Sequence, residues 1–291
     1  MMPLIRAGLV AAVGLCSGLS LSAQTPGPVA AHGPAWPPAI ADNSFLIEEA
    51  YNQEPGVVQF IFNALRLGPE GDWISTFTNE WPVPGMQHQF SYTVSHTRGA
   101  AGRPGGVGDL QLNYRYQALD EERHGVAFAP RFSILLPTSG DPDGLALDVV
   151  SYQVGLPFSK RLAEQWAAHV NIGATLWPGV NVALPGEAHA SQSRSSWSQG
   201  ISLIWLASPV FNLFVEGVAQ QVQSPSGGSG LRWDRQLLVN PGVRAAVNTA
   251  AGQLVFGGSV PIGVTTSSPD TSVMFYASWE MPIWRPRGSP P

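Results

Sequence analysis

Charged residues are scarce in this chain of 291 residues. Asp, Glu, Lys and Arg together make up 12% of it, whereas ordinary soluble domains carry roughly 25%. A soluble surface of this size would need more charge. The formal net charge of −5 also argues against the basic stripe that nucleic-acid binding requires, so we expect no nucleic-acid partner.

Cysteine is almost absent. The single cysteine, Cys16, lies in an apolar stretch, Ala7–Leu21, that follows the positive charge of Arg6. This pattern is typical of a signal peptide, which we assign to residues 1–23, and it predicts export and a mature chain without disulfides. Lipidation of Cys16 is a weaker alternative, because Leu15 is a poor fit for the small residue expected before a lipidated cysteine.

Long apolar runs are missing from the mature chain with one exception, Ile201–Ala219. This run is long enough for a transmembrane helix on hydropathy alone. However, Ala207-Ser208-Pro209 forms a turn signal in its middle, and both flanks alternate between apolar and polar residues. We therefore interpret the run as two strands joined by a turn.

Alternation with a period of two dominates the rest of the chain. In the stretch 106–136, Asp109, Gln111, Asn113, Arg115 and Gln117 alternate with apolar residues, and after a charged turn a second run does the same. Successive side chains of a strand point to opposite faces, so this pattern predicts hairpins with one apolar face. Twelve such segments recur, at about 57–66, 72–81, 87–96, 107–117, 125–136, 148–158, 165–177, 195–206, 209–222, 235–249, 253–264 and 271–284.

The connections between these segments alternate between long and short. That asymmetry is expected when extracellular loops are long and periplasmic turns are tight, and it places both termini in the periplasm. Tryptophans fall in pairs near predicted strand ends, as interfacial girdles require: Trp73 and Trp81, Trp166 and Trp177, Trp197 and Trp205, Trp279 and Trp284. The sequence therefore predicts an all-β fold, a transmembrane antiparallel up-and-down β-barrel of about 12 strands in a bacterial outer membrane.

The predicted barrel covers residues 57–284, between a leader at 24–56 and a C-terminal tail at 285–291. The leader begins rich in Pro and Gly, and Asp42–Glu54 has the capping residues of a short helix. We expect a short periplasmic helix there. The alternative is a plug that folds into the mouth of the barrel.

Charged and polar side chains on the predicted inward face are the candidate functional residues. A charge at mid-strand is costly toward lipid, by about 2–4 kcal/mol for Arg near the midplane, so these side chains should face the lumen. They could line a solute path, or cross-link neighbouring strands as ion pairs. The candidates are Asp109, Arg115, Arg131, His169, Glu216, Arg244 and Glu280. We expect Leu176–Arg194 or Ser224–Asp234 to be a long loop over the mouth.

The sequence gives little support to catalysis. Some outer-membrane barrels are lipid-modifying enzymes with a Ser-His pair, for which His96 and His169 would be the histidines to test. No cluster of His, Cys or carboxylate side chains suggests a metal, and no motif suggests a cofactor. We predict a protein that is not an enzyme, with membrane lipid and a small solute as partners. A lipid-modifying enzyme and a structural or adhesin-like barrel are the alternatives.

Three short motifs carry a family resemblance. They are Phe45–Glu54 with the following Gly56–Gln59, Gly106–Leu110, and Pro130–Ser133 with Leu136-Pro137-Thr138. With these motifs the chain resembles the outer-membrane transporter-like family named for the meta pathway of phenol degradation (MetA-type). The resemblance implies a barrel for uptake of small, often aromatic or hydrophobic, compounds, and it implies no catalytic residues. One departure is the tail after Trp284, since such barrels commonly finish on an aromatic residue.

Overall fold

The computed structural model describes residues 40, 42–68, 71–83, 85–100, 105–138, 149–182, 190–225 and 231–283. Almost all regular structure in this part of the chain is β-strand. In chain order the elements are β1 (Val57–Arg66), β2 (Trp73–Pro82), β3 (His88–Arg98), β4 (Gly106–Tyr116), α1 (Glu121–His124), β5 (Ala127–Phe128), β6 (Arg131–Leu136), β7 (Ser151–Ala163), β8 (Trp166–Val182), β9 (Ala190–Ser208), β10 (Phe211–Pro225), β11 (Leu231–Thr249), β12 (Gly252–Ser259), β13 (Ile262–Gly263) and β14 (Val273–Pro282).

The strands close into a ring of antiparallel neighbours. β1 pairs with β14 along its whole length, from Val57 opposite Pro282 to Arg66 opposite Val273, and every other neighbouring pair in the ring is also antiparallel. The short strands β5 and β13 are continuations of β6 and β12, interrupted at Pro130 and Pro261, where the backbone has no N–H to donate. The wall therefore has twelve strands, which confirms the predicted fold class.

The two ends of the barrel differ. At one end β1 begins and β14 ends, and two-residue connections follow β7, β9 and β11; we call this the turn end. The opposite end, which we call the loop end, has connections of up to fourteen residues, the one after β6 being the longest. The predicted alternation is thus present with one exception. The charged turn after β4 is longer than expected and contains α1, capped by the Asp120 side chain and ended by Gly125 at φ 72°.

The outer face of the wall is apolar. Ile201, Trp197 and Phe275 are 55%, 57% and 51% exposed, while the side chains that alternate with them, such as Ser202 and Ser196, are buried. A continuous apolar exterior over an inward polar face is the inverse of a soluble barrel and suits contact with lipid. Within the described ranges, no helix is long and apolar enough to cross a membrane.

The tryptophans follow the predicted girdles only in part. Trp166, Trp205 and Trp279 point outward and are 40–41% exposed, as side chains at a lipid interface should be. Trp177 was predicted to pair with Trp166 on the outside, but it points inward and is only 4% exposed. Trp284 lies outside the described residues.

Strands β8 to β11 are longer than the sequence pattern predicts. β8 continues to Val182 and β9 begins at Ala190, so most of the expected long loop Leu176–Arg194 is a paired extension of two strands. Similarly, β10 reaches Pro225 and β11 begins at Leu231, which replaces most of the expected loop Ser224–Asp234. The expectation of long loops in these two places is therefore wrong. Apolar alternation ends earlier than hydrogen bonding, because strands that project beyond the membrane have no lipid to face.

Candidate functional site

An extended stretch of chain crosses the lumen. It consists of Ile40 and Asp42–Glu54, and we call it the lumen segment. It contains no helical turn, so the short helix predicted over Asp42–Glu54 is wrong. Most of its residues, including its charged Asp42, Glu48 and Glu49, are no more than 5% exposed. The helical expectation failed because the polar groups of the segment are satisfied by the barrel wall, not by its own backbone.

Inward side chains from most of the wall bind the lumen segment. Hydrogen bonds or ion pairs reach it from β1, β3, β4, β6, β7, β8, β9, β10, β11 and β14. Most of the wall residues involved belong to the half of their strand nearer the turn end. The segment therefore lies across the lumen like a partition, close to the turn end, and does not run along the barrel axis.

Arg244 of β11 anchors the beginning of the lumen segment. Its Nη1 donates hydrogen bonds to the backbone carbonyl oxygens of Asp42 and Asn43, and its Nη2 donates to that of Ile40 at 3.3 Å. Arg244 is 2% exposed. One predicted lumen residue thus satisfies three backbone acceptors that strand pairing leaves open, a task suited to the five donors of arginine.

The Asp42 side chain continues this anchor on the opposite side. Its carboxylate accepts hydrogen bonds from the hydroxyl groups of Tyr276 and Ser278 on β14, both at 2.6 Å. Gln59 of β1 donates to the same carboxylate at 3.3 Å. Asp42 therefore ties the first and last strands of the barrel to the segment.

Arg115 of β4 anchors the end of the lumen segment. Its Nε donates to Asn52 Oδ1 at 2.7 Å, its Nη1 donates to the Glu49 carbonyl oxygen at 3.2 Å, and its Nη2 donates to the Tyr51 carbonyl oxygen. Arg131 of β6 lies directly opposite Arg115 in the strand register. Both arginines form ion pairs with Glu48, Arg115 at 3.9 Å and Arg131 at 3.4 Å.

Glu216 of β10 binds the middle of the segment through its backbone. The N–H groups of Leu46 and Ile47 donate to Glu216 Oε1 at 2.9 and 3.0 Å, and Asn240 donates to its second oxygen at 2.6 Å. Two backbone donors on one carboxylate are strong, charge-assisted hydrogen bonds. Glu216 therefore binds backbone N–H groups of the segment, whereas Arg244 binds its backbone carbonyl groups.

An apolar cluster holds the same stretch from another side. The Phe45 ring stacks on Tyr276 and meets the edge of Phe214, with ring centroids 4.8 and 4.7 Å away. Ile40, Leu46 and Ile47 join it, together with inward residues of the wall: Ile61, Leu65, Ile74, Ile204, Leu206, Val218, Leu238, Ala246, Val255 and Met274. These inward apolar residues were not predicted from the sequence, although the run Ile201–Ala219, apolar on both faces, was the signal for part of them.

His169 is linked to the lumen segment through the hydroxyl group of Ser159. Its Nδ1 lies 2.7 Å from the Ser159 hydroxyl oxygen, and the same oxygen accepts the N–H of Ala50 at 2.7 Å. His169 and Ser159 are 4% and 1% exposed. His96, the other histidine considered for catalysis, points away from the lumen near the loop end of β3, so the structure does not bring the two histidines together.

The remaining candidates lie at the two edges of this arrangement. Glu280 of β14 is 6% exposed and interacts with Gln53 at the end of the segment. Asp109 is only half-buried and lies near the loop end of β4, beside a register shift opposite Val94 and His96. Six of the seven predicted residues are therefore gathered around the lumen segment, and Asp109 is separate. Within the described part of the chain, no group of three or more His, Cys, Asp or Glu is placed to hold a metal ion.

Comparison with known proteins finds similarity in structure but not in sequence. No protein-family model and no curated protein matches the sequence. The fold is similar to the crystal structure of an outer-membrane channel from Pseudomonas putida F1, with a TM-score of 0.57 and 13% identity over 80% of this chain and 98% of that one. The NanC porin is a weaker match, with a TM-score of 0.49 and 6% identity over 76% and 98% of the two chains.

The closed ring, its apolar exterior and this structural similarity define the class. The protein is a twelve-stranded β-barrel of the bacterial outer membrane. At 13% identity the similarity concerns the fold and not the role of the lumen segment.

Proposed function

We propose that the protein is an outer-membrane channel or transporter for the uptake of a small solute, and that the lumen segment sets whether the solute can pass. One observation carries this proposal: the partition, which belongs to the same chain, lies across a lumen that the ring of strands would otherwise leave open. A wall of antiparallel strands needs no internal segment to satisfy its own backbone. The segment therefore serves the lumen, and obstruction of a solute path is the function its position supports.

The orientation follows from the connections. Short turns of outer-membrane barrels face the periplasm, so the turn end, and the partition near it, belongs to the periplasmic side. A solute from outside would enter at the loop end and meet the partition last. The charged and polar residues predicted to line a solute path would then act chiefly by holding the partition, because six of the seven contact it or lie beside it.

A small aromatic or hydrophobic solute is the finer form of the proposal. It is supported by the resemblance to the MetA-type family and by the apolar cluster around Phe45. An aromatic body could pack where Phe45 packs against Tyr276 and Phe214. A catalytic role has less support, because the Ser159 hydroxyl is already bonded to the lumen segment and is covered by it.

The experiment compares two buried arginines in planar bilayers. Arg244→Gln removes hydrogen bonds to three segment carbonyls. Arg194→Gln is the matched control, because among the described residues Arg194 donates within the wall alone, to the Gln223 carbonyl oxygen. Heat-dependent gel mobility first establishes that each variant forms the barrel. We expect larger or more frequent conductance steps from Arg244→Gln than from the wild type or the control. A barrel that stays silent in all three forms, in bilayers and in vesicle flux, would reject the channel.

A further inference from the structure

Two buried arginines face one carboxylate at the partition. Arg115 and Arg131 lie directly opposite each other on β4 and β6 and are 2% and 3% exposed. Like charges in directly opposed positions destabilise a sheet unless an anion lies between them. The anion here is the Glu48 carboxylate, which the lumen segment brings from a distant part of the chain.

The Glu48 carboxylate fits this place loosely. Its Oε1 lies 3.4 Å from Arg131 Nη1 and 3.9 Å from Arg115 Nη1, whereas a charge-assisted hydrogen bond of this kind spans about 2.7–2.9 Å. Among the described residues this oxygen has no hydrogen-bond partner. Gly155, opposite Arg131 in the register, leaves a space about the size of a methyl group, since a Cβ there would lie 3.6 Å from Glu48 Oε2.

The backbone of Glu48 does not depend on this ion pair. Its N–H donates to Asn171 Oδ1, and its carbonyl oxygen accepts from Asn171 Nδ2, both at 2.6 Å. The side chain of Asn171 thus pairs with Glu48 as a neighbouring strand would. The carboxylate can therefore be exchanged for another one while the main chain of the segment stays bound at this point.

We infer that Arg115 and Arg131 form a binding site for the carboxylate of a small organic acid, and that Glu48 occupies this site in the absence of the acid. The inference rests on the proposed channel function and names the substrate class for it. A free carboxylate can approach both guanidinium groups at hydrogen-bonding distance, which the tethered Glu48 does not. Its binding displaces Glu48 and weakens the hold of the wall on the partition.

Two further buried carboxyl groups lie beside the site. Glu80 is tied to the same network through Gln89, which donates to it at 2.8 Å and accepts from Arg115 Nη2 at 3.3 Å. Glu49 is also buried close by. Burying a charge is costly unless it is paired, and Arg115 and Arg131 are matched here to the single carboxylate of Glu48. The site therefore favours a monocarboxylate over a dicarboxylate or a phosphate ester.

The test measures binding, with calorimetry on purified full-length mature protein in detergent. The probes are benzoate and benzamide, which share shape and differ in charge. Glu48→Ala vacates the site, and Glu49→Ala is the matched control, since it removes the neighbouring buried carboxylate of the segment. We expect Glu48→Ala to bind benzoate about tenfold or more tightly than the wild type does, because competition from Glu48 is removed. The Glu49→Ala control should bind benzoate as the wild type does. Benzamide should bind to neither variant.

Two results would overturn the inference. One is equal affinity of Glu48→Ala for benzoate and benzamide. The other is benzoate binding that survives when Arg131→Gln is added to Glu48→Ala. If Glu48→Ala lacks the gel mobility of a folded barrel, the same two probes are measured on the wild-type protein. Equal affinity of the wild type for benzoate and benzamide then rejects the site. Benzoate binding without any conductance would keep the site and reject the channel, whereas conductance without benzoate preference would reject the site alone.

Discussion

Phe45 of the lumen segment and Tyr276 of the last strand stack ring on ring, with centroids 4.8 Å apart and planes inclined by 10°. The Tyr276 hydroxyl donates at the same time to Asp42, three residues before Phe45. A single wall residue therefore contributes both an apolar and a polar contact to the partition, and removing either face of this contact should loosen it.

Phe45→Ala should unseat the partition while leaving the barrel intact. Phe45 is 1% exposed, and truncating a buried Phe costs about 3–5 kcal/mol. Here the loss weakens the binding of the segment to the wall. We expect increased conductance and faster proteolysis within residues 42–54, both measured on folded protein. Phe275→Ala is the control, since Phe275 lies next to Tyr276 on β14 but points to the outside. Equal effects of the two substitutions would show that Phe45 does not hold the partition.

Gly200→Val should push the segment away from the wall. A Cβ at Gly200, on the inward face of β9, would overlap the side chain of Ile47. The neighbouring Gly217 faces outward, and a Cβ there would meet only Ile201 at 3.8 Å, so Gly217→Val is its control. We predict more frequent open states in bilayers for Gly200→Val alone. Unchanged conductance in both variants would mean that Ile47 can shift without moving its backbone.

A disulfide between positions 44 and 202 should lock the partition in place. The Ser44 and Ser202 hydroxyl oxygens are 2.5 Å apart, which is compatible with the short Cβ separation that a disulfide requires. The only native cysteine, Cys16, lies in the predicted signal peptide, so no other thiol should compete. We expect the oxidised Ser44→Cys, Ser202→Cys protein to conduct less than its reduced form. Identical conductance before and after reduction would show that the solute path does not depend on movement of the segment.

Ile201→Arg should destabilise the barrel from its outer face. Ile201 is 55% exposed, and an arginine facing the middle of the bilayer costs about 2–4 kcal/mol. Gln221→Arg is the comparison, since Gln221 is already polar and lies opposite Trp197 toward the loop end, where the cost falls to about 0–1 kcal/mol. Urea unfolding in lipid vesicles, followed by gel mobility, measures both. A similar loss of stability in the two variants would contradict the placement of Ile201 in the middle of the bilayer.

The barrel itself was predictable from the sequence because the pattern that specifies it lies within each strand. Alternation along each strand reports which side chain faces lipid, and the inward position of Arg115, Arg131 and Arg244 follows from that alternation alone. Pairing partners are also nearly fixed, since each strand pairs with its neighbours along the chain. The limits of β8 to β11 were less predictable, because strands that leave the membrane keep their hydrogen bonds and lose the apolar pattern.

The partition was not predictable in the same way. Its contacts join residues far apart in sequence, such as Asp42 with Arg244 and Ser44 with Ser202, and no local pattern encodes them. Asp42–Glu54 has helix-capping residues, but the wall offers its backbone better partners than a helix would. One indirect signal was present. Ile201–Ala219 resembles a membrane helix because it is apolar on both faces, outward for lipid and inward for Phe45, Leu46 and Ile47.

The position of the partition also constrains the order of assembly. The lumen segment precedes β1 in the chain and is therefore synthesised before every strand of the wall. Yet its binding residues include Arg244 on β11 and both Tyr276 and Ser278 on β14, so its seat is complete only when the last strand has paired with the first. The earliest stretch of this domain to be made is thus the last to be fixed, and its buried carboxylates remain in water until the ring closes around them.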